Sequence, residues 1–160
     1  ANMLDIGNVF DIDQYELVTC FGNTLVHLSH ENEIDRFFSG VFKVLKEGGI
    51  FLLQILNYDN IVSNGISSLP LIENERIRFV RNYDFLNNGF IGFKTSLFIK
   101  SNQQTIENSI MLKPIFIDEL KELLTKNGFS NIELYGGFNG EMFTSKSLPL
   151  VVSAKRRSNL

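Results

Sequence analysis

The stretch over residues 15–28, Tyr-Glu-Leu-Val-Thr-Cys-Phe-Gly-Asn-Thr-Leu-Val-His-Leu, constrains the fold more than any other part of the chain. Its first half alternates and then runs apolar through Leu17, Val18 and Cys20, the pattern of a buried strand. It ends on Gly22 and Asn23, two residues able to turn the backbone sharply. Asn23, Thr24 and His27 then follow within one short segment, so an amide, a hydroxyl and an imidazole converge just past the strand's carboxyl end. In open α/β sheets, ligands bind at such ends.

The residues that follow supply the rest of an α/β unit. Ile34, Phe37, Phe38, Val41, Val44 and Leu45 keep the spacing of an amphipathic helix, which the pattern starts at a cap near Ser29 and ends at the Gly48-Gly49 pair. Residues 50–56 are apolar apart from Gln54, as in a strand covered on both faces. Strand, helix and strand at this spacing predict a right-handed parallel unit. Upstream, residues 1–14 read as an irregular approach with no helical pattern.

Past Asn57-Tyr58-Asp59 the pattern changes. Residues 60–75 hold Ser63-Asn64-Gly65 and Pro70 and predict a loop or short helix across the sheet edge. Three alternating segments follow, near 76–85, 90–100 and 105–112, and the Asn88-Gly89 step between the first two favours a tight hairpin. Residues 60–112 therefore read as an inserted loop and three-stranded antiparallel meander. A second helix carries Ile117, Leu120, Leu123 and Leu124 and closes at Asn127-Gly128, although Phe116 stands where a capping hydroxyl is expected. Strands at 130–135 and 148–155 form a terminal antiparallel pair joined by a glycine-rich loop over 136–147, and a polar tail from Arg156 is expected to fray.

Several of these stretches together resemble one family. The run 20–28, the helix ending Lys43-Val44-Leu45-Lys46-Glu47-Gly48-Gly49, the strand Ile50-Phe51-Leu52-Leu53-Gln54 and the triplet Asn57-Tyr58-Asp59 are similar, in order and spacing, to class I S-adenosylmethionine-dependent methyltransferases. The glycine/sarcosine N-methyltransferase-like branch is the nearest in pattern. The match covers most of residues 2–155 and implies an α/β fold, the carboxyl-terminal part of a Rossmann-like methyltransferase domain occupying 1–160. No Gly-x-Gly-x-Gly segment occurs in these 160 residues, and no acidic strand end follows one. The resemblance thus implies a chain that is incomplete for cofactor binding.

The resemblance also assigns roles. S-adenosylmethionine is the implied cofactor and a small-molecule methyl acceptor the implied partner. Asn2 and Met3 stand where the family places a pair beside the adenine ring. Cys20, Phe21 and Gly22 border the donor, Asn23 and His27 face the acceptor as catalytic candidates, and Asn57 and Tyr58 bind substrate. Each has a plainer structural reading: His27 as an imidazole bonded to backbone at a helix start, Asn23 as a turn residue, Cys20 as a small buried hydrophobe. One departure bears on the acceptor. Glycine-methylating members carry an arginine just before Asn-Tyr-Asp, and this chain has Leu56, which argues against simple glycine methylation. Arg76, Arg78 and Arg81 offer another anion site, against which alternation favours a solvated strand face.

Composition excludes other classes. A net charge of −3 gives no basic stripe for nucleic acid, and no apolar run is long enough to span a bilayer. A single cysteine forbids an intrachain disulfide and fits a reducing cytoplasm. No metal site is assigned. A strand 15–21 that lacks its family neighbour leaves a bare apolar edge, from which homo-oligomerisation is expected. The competing readings are a non-catalytic remnant retained for oligomerisation and a different α/β small-ligand domain.

Overall fold

Apolar side chains alternate along residues 15–20, and the strand they form, β1 (Tyr15–Cys20), pairs in parallel with β2 (Leu45–Leu56). The computed structural model describes residues 2–158; Ala1 and the last two residues of the polar tail, Asn159 and Leu160, lie outside them. Between the two strands runs α2 (Glu31–Val44), whose buried face carries Ile34, Phe37, Phe38, Val41 and Val44. Phe37, Phe38 and Phe129 pack around Phe51 at ring-centroid distances of 5.8 to 6.0 Å. Phe38, Phe51 and Phe129 are fully buried, so this aromatic cluster is the centre of the core. The sheet continues through β8 (Pro149–Arg156), antiparallel to β2, and β7 (Phe129–Tyr135), giving the order β1-β2-β8-β7.

The meander forms a second sheet. Strands β4 (Ile77–Phe85), β5 (Ile91–Ile99) and β6 (Gln104–Leu112) pair antiparallel over nearly their whole lengths, as expected. A two-residue strand, β3 (Ile72–Glu73), adds a fourth member at its edge; two residues are too few to show a period in sequence.

Five expectations are corrected or sharpened. First, α2 ends at Val44, not at Gly48-Gly49, because Leu45 is itself fully buried in extended conformation and opens β2 opposite Tyr15. Gly48, at φ 73°, and Gly49 instead accommodate an irregularity in the β1–β2 register; a Cβ on Gly49 would meet the Lys46 carbonyl at 2.8 Å. Second, the cap of α2, expected at Ser29 or a neighbour, is the neighbour His30, with the Glu33 carboxylate accepting from the His30 amide at 3.1 Å.

Third, residues 1–14 are not irregular throughout. A 3-10 turn, Met3–Asp5, leads into one helical turn, α1 (Ile6–Val9), seated on α2 where Gly7 meets Gly40 closely enough to exclude a Cβ. Fourth, Arg156 does not fray. It is 7% exposed, donates to the Asp13 carboxylate and the Leu45 carbonyl, and stacks 4.5 Å from the Phe42 ring. Fifth, Arg81 leaves the solvated face expected for the strand arginines: Phe79, Arg81 and Tyr83 share the inward side of β4, while Arg78 stays exposed on the other.

The capping hydroxyl missing at Phe116 is replaced from afar. Helix α3 (Tyr58–Ser63) carries Asp59, whose Oδ2 accepts from the Ile117 amide at 2.9 Å and so caps α4 (Ile117–Lys126). Asp59→Ala is expected to lower stability by about 1 kcal/mol, seen as a lower urea midpoint with an unchanged m-value.

Candidate functional site

Two successive left-handed residues, Gly22 at φ 77° and Asn23 at φ 62°, turn the chain sharply at the tip of β1. The turn is bolted to β2. Gly22 donates to Gln54 Oε1 at 2.8 Å, and the Asn23 backbone amide to the Gln54 carbonyl at 3.3 Å. The Asn23 side chain accepts from the Leu56 amide at 3.0 Å and donates to the Tyr58 hydroxyl at 2.8 Å. A 3-10 turn, Thr24–His27, follows, with Leu25 and Val26 fully buried and His27 left exposed.

This turn divides two cavities. The first, about 370 Å³, is lined by Asn2, Met3, Thr19, Cys20, Phe21 and Phe37 among others. The second, about 470 Å³, lies on the other side and takes in Gly22, Asn23, His27, Gln54, Arg81 and Tyr83. Its far wall comes from the inward face of β4 and β5 through Phe79 and Phe93. Phe21, 40% exposed, meets Phe138 of the glycine-rich loop edge-on at 5.1 Å.

The cofactor and acceptor candidates of the sequence thus divide between the cavities. Asn2, Met3, Cys20 and Phe21 come together in the first, Gly22, Asn23 and His27 in the second. Asn57 and Tyr58 reach neither. Asn57 is fully buried: its Oδ1 accepts from the Asn60 amide at 3.2 Å, and its Nδ2 donates to the carbonyls of Ser145 and Ser147. It therefore latches the loop 136–147 onto α3. Tyr58, also fully buried, supports Asn23 from below.

Burial dominates the local electrostatics. It pushes the Cys20 thiol up to about 11 and raises the Tyr58 hydroxyl well above the usual phenol range, with the neighbouring Tyr83 adding to the shift. Burial raises Tyr83 as well, against smaller opposing effects of Tyr58 and Arg81; its hydroxyl lies near that of Tyr58 without hydrogen-bond geometry. All three groups are neutral at pH 7. Gln54, Tyr83, Phe79 and Phe93 are among the lining residues that sequence reasoning did not place, while Arg81 is one of the three strand arginines that the sequence offers as an anion site. The signals were the lone polar residue in the run 50–56 and the alternation Phe79, Arg81, Tyr83. Among the described residues no cluster of three or more His, Cys, Asp or Glu is placed to hold a metal. No described helix is long and apolar enough to cross a membrane.

No protein-family profile matches the chain. It is 26% identical over 125 residues to a glycine/sarcosine/dimethylglycine N-methyltransferase of Actinopolyspora halophila, covering 78% of this chain and 21% of that protein. To a glycine/sarcosine N-methyltransferase of Aphanothece halophytica it is 26% identical over 126 residues, covering 79% and 46%. An S-adenosylmethionine-dependent methyltransferase from Clostridium acetobutylicum superposes with a TM-score of 0.78 at 15% identity, over 96% of this chain and 63% of that one. The chain has the fold of an S-adenosylmethionine-dependent methyltransferase. It spans less than half the length of the two curated relatives, and under two thirds of the solved structure.

The first cavity fits one end of the cofactor that such proteins use. A flat heteroaromatic base needs apolar walls and a polar edge, which Met3, Ile6 and Phe37 and then Asn2 and Thr19 provide. Its lining contains no carboxylate to take a ribose diol.

Two outcomes are expected from this geometry. Asn23→Gly keeps the left-handed backbone but leaves the Leu56 amide and Tyr58 hydroxyl without partners, and should lower stability by about 2 kcal/mol in urea. The Cys20 thiol, raised in the folded state, contributes stability that is complete below pH 9 and is lost as pH rises through about 11. Cys20→Ala should accordingly flatten the fall in stability between pH 9 and pH 11.

Proposed function

We propose that this chain forms the acceptor side, and one wall of the donor side, of an enzyme that transfers a methyl group from S-adenosylmethionine to a small-molecule amine. The observation that carries this reading is the turn Phe21–Gly22–Asn23–Thr24 serving as the common wall of two cavities. Asn2, Met3, Cys20 and Phe21 would hold the adenosyl end, with the Gly22 backbone at the boundary. When bound, S-adenosylmethionine supplies a methyl group on a positively charged sulfur.

Displacement at that carbon needs alignment and a dry site more than it needs ionised groups. Tyr58, through Asn23, fixes the turn so that donor and acceptor cavities keep one spacing. Phe79, Phe93 and Tyr83 would exclude water from the acceptor. An acceptor amine in this cavity would exchange one N–H proton for the methyl group as the carbon–sulfur bond of the donor breaks, and His27, on the rim of the same cavity, would take that proton. The relatives named for glycine and sarcosine support an amine acceptor. Leu56, which lines the acceptor cavity, offers an acceptor carboxylate no cation at that position.

A second reading concerns assembly. Strand β1 is the sheet edge among the described strands, and Val9, Ile12 and Leu17 beside it are 53 to 60% exposed. This supports association through that edge, with another copy or with other protein segments. Light scattering distinguishes a stable oligomer, lost on Leu17→Lys, from a monomer.

The enzymatic reading is tested by turnover of labelled S-adenosylmethionine with small amines. His27→Asn is expected to lower kcat by about 100-fold with little change in the donor KM, and Phe21→Ala to raise the donor KM. Methyl transfer indifferent to both substitutions would overturn it.

A further inference from the structure

The second cavity holds one permanent positive charge and no carboxylate. Arg81 is the only Lys or Arg among its lining residues, which include no Asp or Glu. Its backbone is fixed, since β4 lies between β3 and β5, and the Arg81 carbonyl accepts from the Leu69 amide at 3.0 Å. The side chain is fixed too. Nη2 donates to the Pro70 carbonyl at 2.7 Å, and the guanidinium carbon sits 5.6 Å from the Phe79 ring centroid.

What remains is a held guanidinium with donors to spare. Nε is buried without a partner, Nη1 makes no hydrogen bond, and Arg81 forms no ion pair among the described residues. Elsewhere on the same sheet, Lys94 pairs with Asp84 and Lys100 with Glu73. A half-buried guanidinium held in place without an ion pair can take an anion without breaking an existing pair. Its planar fork suits the two oxygens of a carboxylate or phosphate.

We propose that Arg81 selects the acceptor, binding an oxyanion, carboxylate or phosphate, carried by the molecule whose amine faces His27. This rests on reading the second cavity as the acceptor site. It also assigns the anchor to the meander, since Leu56 at the tip of β2 has no charge to offer. Arg76 and Arg78, which do not line this cavity, take no part.

The anion site is tested without turnover. In protein labelled with 15N-arginine, the Arg81 Nε–Hε resonance, identified by its loss in Arg81→Lys, should shift saturably on titration with sodium acetate or inorganic phosphate. It should not shift with acetamide, and the resonances of Arg76 and Arg78 should stay in place. A stronger response to acetate assigns a carboxylate, a stronger response to phosphate a phosphoryl group. No saturable shift with either anion overturns the proposal.

Kinetics then tests selection. For an amino acid acceptor and its methyl ester, Arg81→Gln should raise KM for the acid by about 30-fold and leave KM for the ester unchanged, with partial recovery in Arg81→Lys. Equal losses for acid and ester would overturn the selective role. Saturable anion binding at Arg81 in a protein that methylates no amine would instead overturn the enzymatic reading and leave the anion site standing.

Discussion

The Asn23 side chain is the interaction on which the site depends. Through one amide it ties the end of β1 to the Leu56 backbone and to the buried Tyr58 hydroxyl, so that a left-handed turn becomes a rigid wall. Each bond contributes only about 1 kcal/mol, yet the two act on the one segment that faces both cavities. Transfer between a donor and an acceptor bound on either side of a wall is sensitive to small displacements of that wall. Tyr58 can serve as the support because it is fully buried and its hydroxyl oxygen accepts from Asn23.

Around this wall the chain separates scaffold from recognition. The aromatic cluster of Phe37, Phe38, Phe51 and Phe129 fixes α2 against the parallel strands, and Arg156 closes the far end of the sheet onto Asp13 and the Leu45 carbonyl. The meander contributes nothing to that sheet. It delivers the β4 and β5 side chains to the second cavity and is tied back through Lys113, whose amide donates to the Val26 carbonyl at 3.1 Å. Recognition on an appended sheet can change without disturbing the core.

How much of this was legible follows from what carries a period. Strand β1, the body of α2, the three long meander strands, α4 and the terminal pair each bury a repeating face, and their apolar spacing marked them. Features set by tertiary context were not legible. Leu45 fits the helical repeat as well as it fits a strand, so only its pairing with Tyr15 shows that the helix has ended. Asp59 caps a helix 58 residues further on, and no local pattern announces such a bond. Arg156 looks like tail until Asp13 and Phe42 are seen beside it.

For the site, the sequence points to the tip of β1, and the structure divides the residues around it between two cavities. The triplet beginning at Asn57 carries the expected substrate contacts, yet Asn57 is fully buried and lines neither cavity. Asn57 has its oxygen on the Asn60 amide and its nitrogen on two loop carbonyls, so it could contact a ligand only by releasing the loop. Asn23 makes one bond through each of its side-chain polar atoms and keeps a second N–H at the second cavity. Both amides hold the architecture, and among the polar groups lining the second cavity His27 is exposed at its rim while the Tyr83 hydroxyl and Arg81 Nε have no partner. On the reading proposed above, the imidazole accepts a proton and the guanidinium holds an anion. The first belongs to the β1 turn and the second to the meander, which is why neither segment alone reveals the chemistry.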